Sequence, residues 1–221
     1  MNKNTMYVEL KRVTKVIKGA TVLNDINLKL DKGKIYGFKG RNGSGKTMLF
    51  RAICGLIKLS DGEITIGNEK IGKNISFPSS VGVVIEYPGF LPQYTGFKNL
   101  KLLAAIQNKV SDDEISNAIE KVGLDPNDKR KFKKYSLGMK QRLGIAQAIM
   151  EDPELIILDE PTNALDEKGI SLVRDILSDL RNKNKTILIA SHDQTELEFL
   201  ADEIFTIDAG SITNHEVKKG L

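Results

Sequence analysis

The 221-residue chain is 40% hydrophobic and 28% charged, ordinary for a globular protein built as one large domain or a core with an inserted lobe. Its formal net charge of +4 is too mild to argue for nucleic acid by itself and is compatible with work near an anionic membrane surface. A single cysteine excludes an internal disulfide, no apolar run nears the ~18 residues of a membrane span, and MNKNTMYVELKR lacks a signal-peptide core.

Residues 6–39 alternate in β fashion through MYVELKRV, TVLNDINLKL, a DKGK turn and IYGF. The glycine-rich GRNGSGKT follows, and then MLFRAICGLI, whose apolar spacing suits a helix and gives Cys54 the role of a small buried residue. SDGE reads as a turn, EITIG as a short strand, and VGVVIE as an apolar strand that delivers Glu86 to its tip. Between residues 97 and 150 the period becomes helical. FKNLKLLAAIQN is one helix; SDDEISNAIEKVG is a second, with a Ser111–Glu114 capping box and Gly123 at its stop; LGMKQRLGIAQAIM is a third, capped by Ser136. The lysine-rich KRKFKK before it reads as a solvated face. Beyond residue 150, β and α alternate: LIILDE, a helix near 167–181, TILIAS, the helix QTELEFL, and EIFTI. The order predicts an α/β fold with a mostly parallel sheet, an antiparallel β portion at the N-terminus and an inserted helical subdomain. The expected division is a core made of residues 1–95 and 151–221 and a helical part made of 96–150.

GRNGSGKT fits G-x-x-x-x-G-K-[ST] between a strand and a helix. Gly40, Gly43 and Gly45 allow a loop whose N–H groups converge on phosphate oxygens, and the following helix adds its positive end. Lys46 can reach the β- and γ-phosphates, and Thr47 offers a hydroxyl to Mg²⁺. LIILDEP ends in two carboxylates: Asp159 suits a hold on Mg²⁺, and Glu160 suits general-base activation or polarisation of an attacking water. TILIA ends in Ser191–His192, which would emerge on the same sheet edge, where His192 could reach a γ-phosphate. Alone, a histidine at a strand end is an ordinary structural residue.

Taken together, GRNGSGKT, YSLGM with KQR, LIILDEP, NALD and the Ser–His dipeptide resemble, in order and spacing, the ATP-binding cassette (ABC) ATPases over nearly the whole chain. The resemblance implies the P-loop NTPase core of that family, and ATP and Mg²⁺ as cofactors. It implies nucleotide contacts by Val22, by Gly40, Arg41, Asn42, Gly43, Ser44, Gly45, Lys46 and Thr47, and by Met48. Catalysis would fall to Glu160, His192 and Lys46, and metal binding to Thr47, Asp159 and Glu86, the last where relatives carry glutamine. YSLGM aligns with the family signature, with Ser136 and Gly138 matching; both would act in trans on ATP held by a second cassette, with Asp166 of NALD at the seam. Ile17 occupies the place of an adenine-stacking aromatic, which implies weaker discrimination between ATP and GTP.

The implied partners are a second copy, or a paralogue, in a head-to-tail dimer, and a separate permease met through Tyr87–Phe97. Nucleic acid is not expected. The implied location is cytoplasmic, on the inner face of the membrane through the permease. Glu86, YSLGM–KQR and NALD resemble the branch that exports, or confers immunity to, bacitracin, lantibiotics and related peptides. The alternative class is a soluble regulatory or nucleic-acid-associated ABC ATPase. Such relatives usually carry paired cassettes or a coiled coil between the motifs, and this sequence has neither.

Overall fold

The computed structural model describes residues 6–86 and 88–218. Strands β1 (Met6–Ile17) and β2 (Ala20–Asp31) form an antiparallel hairpin. Its connection, Lys18–Gly19, has positive φ at both positions (48° and 82°), the two-residue turn whose twist matches that of the flanking strands. β1 also pairs with β4 (Asp61–Ile66), and β4 with the short β5 (Glu69–Lys70), giving a four-stranded antiparallel sheet ordered β2-β1-β4-β5. Ile26, Leu28 and Leu30 alternate inward, and Leu23 does so beyond a register shift in the hairpin.

The second sheet has six strands in the order β10-β9-β3-β8-β7-β6. They are β3 (Ile35–Lys39), β6 (Val81–Val84), β7 (Leu155–Asp159), β8 (Thr186–Ser191), β9 (Glu203–Asp208) and β10 (Ser211–Val217). All neighbours run parallel except β10, which is antiparallel to β9. The inner strands read as unbroken apolar runs because both their faces are covered. Along β7, Leu155 and Ile157 join the core beneath the antiparallel sheet, and Ile156 and Leu158 join the core beneath the helices. The first core also holds α1 (Lys46–Ile53) and Cys54, whose thiol is pushed up to about 12 by burial. It is a packing residue.

Helices α2 (Gly96–Gln107), α3 (Asp112–Lys121) and α4 (Leu137–Ile149) fall between β6 and β7 in the chain. Each begins at a side-chain cap: Thr95, Ser111 with a complete capping box to Glu114, and Ser136. In KRKFKK the lysines are exposed, but Phe132 is buried, 5.1 Å from Phe90 between ring centroids. The aromatic anchors the segment while its charges stay in water. Helices α5 (Glu167–Asn182) and α6 (Gln194–Leu200) follow β7 and β8 and start at Asp166 and Asp193.

One expectation shifts. The strand expected to end at Glu86 stops at Val84, because Glu86 takes a left-handed backbone (φ 59°) that cannot continue a strand. The expected N-terminal antiparallel portion is present as a sheet of its own.

Candidate active site

The loops after β3, β6, β7 and β8 all leave the carboxyl edge of the parallel sheet, where α/β proteins gather their ligand-binding groups. A cavity of about 580 Å³ opens there.

Its floor is the loop between β3 and α1. A Cβ on Gly40 would lie 2.3 Å from the Ile207 carbonyl and 2.5 Å from Ser44 Oγ, so only glycine fits. Gly45 has φ 114°, open to glycine alone at low cost, and stands at the N-cap of α1. Lys46 is buried and donates from Nζ to the carbonyls of Gly40 (2.6 Å) and Arg41 (3.3 Å). Ser44 Oγ is buried with no hydrogen-bond partner among the described residues. A lysine folded back onto its loop, an orphan hydroxyl and a helix N-terminus make a cradle suited to phosphate oxygens.

Thr47 donates its hydroxyl to Asp159 Oδ2 at 2.7 Å. Burial pushes the Asp159 carboxyl up; the Thr47 bond opposes this, Glu160 adds to it, and Lys46 and Glu86 contribute in opposite senses. Among the described residues, no three His, Cys, Asp or Glu side chains converge to hold a metal unaided. Thr47, Asp159 and Glu86, which share the cavity wall, still fit Mg²⁺. That ion typically takes one or two carboxylates and completes its shell from phosphates and water.

Glu160 sits just past β7 in a left-handed conformation (φ 51°). Its N–H donates to the Ala190 carbonyl at 2.8 Å, and its own carbonyl accepts from Gln141 Nε2 at 3.1 Å. Its carboxylate accepts from the His192 N–H at 3.1 Å and lies 2.9 Å from His192 Nδ1. A carboxylate held by the backbone and ring of one residue, on a backbone itself fixed from both sides, has the geometry of a general base on a cavity wall.

The structure brings Val22, Asn42, Gly43, Ser44, Gly45, Lys46, Thr47, Met48, Glu86, Asp159 and Glu160 to the cavity wall. Gly40 and Arg41 support it through their carbonyls to Lys46, and His192 supports it through Glu160. Ile17 is not among the lining residues: it lies half-exposed at the β1–β2 turn, and Thr21 and Val22 of that hairpin form the wall instead. Ser136, Gly138 and Asp166 are likewise not among them. Ser136 caps α4 and Asp166 caps α5. Glu86 is paired with Arg51, its Oε1 2.9 Å from the guanidinium.

Of the segment Tyr87–Phe97, Tyr87 lies outside the described residues. The remainder is pinned by buried Asn99, which accepts from the Leu91 N–H (2.7 Å) and donates to the carbonyls of Leu91 (3.1 Å) and Thr95 (3.0 Å). Leu91 and Tyr94 remain exposed on it. Sequence reading missed Gln141. Its polar side chain on a helix gives no sign of a partner 19 residues away.

A phosphate cradle of this build, on the carboxyl edge of a parallel sheet, defines a P-loop nucleotide-binding protein. Residues 23–163 match the family described as ABC transporter. The chain belongs to that family: it is an ABC ATPase cassette and the ATP-binding subunit of an ABC transporter. Bacillus subtilis (strain 168) has a similar protein named as the uncharacterized ABC transporter ATP-binding protein YybJ. The two are 48% identical over 209 residues, spanning 95% of this chain and 96% of that one. The Enterococcus faecalis bacitracin transport ATP-binding protein BcrA is 45% identical, over 93% of this chain and 67% of its own length. A Streptococcus pyogenes lantibiotic transport ATP-binding protein, SrtF, is 37% identical over 93% and 88%. Among solved structures, the dimeric cassette MJ0796 superposes with TM-score 0.88 at 25% identity, covering 97% of this chain and 100% of that one. A second structure of that cassette, equally similar, is a post-hydrolysis dimer bound to ADP and Pi. No helix among the described residues is long and apolar enough to cross a membrane.

Proposed function

We propose that this chain hydrolyses MgATP as half of a head-to-tail dimer and so drives a separate membrane-spanning subunit, in export of or immunity to a peptide antibiotic. The observation that carries the reading is the Glu160 carboxylate. It is held by the ring and backbone of His192 on the cavity that also holds Lys46 and Thr47. ATP phosphates enter the cradle, and the Lys46 ammonium exchanges the Gly40 and Arg41 carbonyls for β- and γ-phosphate oxygens. Thr47, Asp159 and Glu86 would hold Mg²⁺, which supplies charge neutralisation at the phosphates. Water attacks the γ-phosphorus as its bond to the bridging oxygen breaks; Glu160 takes the water's proton, and ADP and phosphate leave. His192 keeps the base aimed.

Ser136 and Gly138 face the nucleotide of the other subunit, and Asp166 lies at the seam. The helical part, residues 96–150, and the loop 88–97 with its exposed Leu91 and Tyr94 carry the motion to the permease. The relatives named for bacitracin and lantibiotic transport support the substrate class.

Glu160→Gln keeps the side chain's shape and removes the base. It should bind ATP within about twofold of wild type, lose hydrolysis by roughly a hundredfold or more, and accumulate as an ATP-bound dimer. Steady-state phosphate release with light scattering reads both. Full turnover in this variant would dismiss Glu160 as the base.

A further inference from the structure

Arg51 follows Thr47 by four positions on α1, the spacing that sets two side chains on one helix face. Thr47 points at Asp159, and one turn further on Arg51 meets Glu86 at 2.9 Å. Glu86 lines the cavity together with Thr47, Asp159 and Glu160, so three carboxylates face a space meant for a triphosphate. The pair is partly open to solvent, at 36% and 57% exposure. It therefore contributes little to stability and can open readily.

We propose that Arg51 is a positioning residue that holds the Glu86 carboxylate at the cavity rim and offsets its charge, so that ATP can enter a site already lined by Asp159 and Glu160. The inference rests on the ATPase reading above. It explains how a carboxylate is tolerated where an amide would repel nothing. When the pair opens, Glu86 is free to turn toward Thr47 and Asp159, and Arg51 stays behind on its helix.

The test measures affinity for a fluorescent ATP analogue, without turnover, in EDTA and in Mg²⁺. Arg51→Met and Arg51→Lys are each made in the wild-type and the Glu86→Gln backgrounds. Arg51→Met should weaken metal-free binding roughly tenfold and Mg²⁺-supported binding less, while Arg51→Lys should stay within about twofold. In the Glu86→Gln background, Arg51→Met should have no effect. Equal weakening in both backgrounds means that Arg51 serves the phosphates or the helix directly, and overturns the proposal; so does no weakening in either. Failure of the wild-type chain to bind nucleotide at all would instead sink the ATPase reading.

Discussion

Two glutamates that face the cavity, Glu86 and Glu160, share a backbone feature that ordinary surface glutamates lack. Each follows its strand in the left-handed region, at φ 59° and 51°, where a residue with a Cβ typically costs about 1–3 kcal/mol. For Glu160 that cost is offset by bonds to the Ala190 carbonyl, Gln141 and His192. Asp159 beside it bears a different burden, since burial holds its carboxyl above the ordinary range. The folded protein therefore binds this proton more tightly than the unfolded chain does. Ionisation begins to cost stability once pH passes the unfolded value, and the full cost is present above the raised folded value. Asp159→Asn keeps an acceptor for the Thr47 hydroxyl and removes the charge. Without nucleotide it should melt a few degrees above wild type at pH 7, with hydrolysis lost. The gain should shrink as pH falls through the window between the raised and the ordinary carboxylate pKa. Thermal unfolding across pH checks this. A wild type that is more stable at neutral pH would mean that Thr47 and Lys46 outweigh the cost of burial.

Among the elements, those defined by local chemistry were legible in the sequence. The capping box of α3, the Ser136 cap of α4 and the apolar runs of β7 and β8 each have a one-dimensional signature, and each stands where expected. β10 was not legible. Its residues SITNHEV form a largely exposed antiparallel edge, so no apolar alternation marks it. The site divides in the same way: the phosphate loop is written in its glycines, whereas the Gln141–Glu160 bond and the Arg51–Glu86 pair are long-range contacts with no local signal. The loop before α2 lies between these cases, because its shape depends on the single buried amide of Asn99. Asn99→Ala strands the Leu91 N–H, while the carbonyls of Leu91 and Thr95 keep backbone donors from Tyr94 and from residue 99, a loss of about 1–3 kcal/mol. Protease cleavage between residues 88 and 98 should speed up several-fold while the isolated chain keeps most of its ATPase activity. Unchanged cleavage would mean that Phe90 packing, and not Asn99, sets the loop.

Across the whole molecule, the parallel sheet separates two cores, one under the antiparallel sheet and one under the helices, and the site lies on the edge where both end. Ser136 is exposed on the helical side, is not among the residues lining this chain's own cavity, and accepts the Met139 N–H as a helix cap. The proposed role of its side chain is to act on the nucleotide of a second cassette, whereas as a helix cap it could reach this chain's own cavity only through Leu137 and Gln141 of α4. Two substitutions separate that role from capping, both made in the Glu160→Gln background. Ser136→Ala removes the cap, about 1 kcal/mol, together with the hydroxyl. Ser136→Asp keeps a capping oxygen but turns a negative charge toward a phosphate across the seam. Both should bind ATP as monomers within about twofold of the parent. Only the alanine variant should melt lower, and both should lose the ATP-dependent dimer, the aspartate variant more completely. Light scattering and thermal unfolding with ATP distinguish the cases. If Ser136→Asp dimerises as well as its parent, the signature helix does not close over the partner's nucleotide, and the head-to-tail arrangement must be replaced by another.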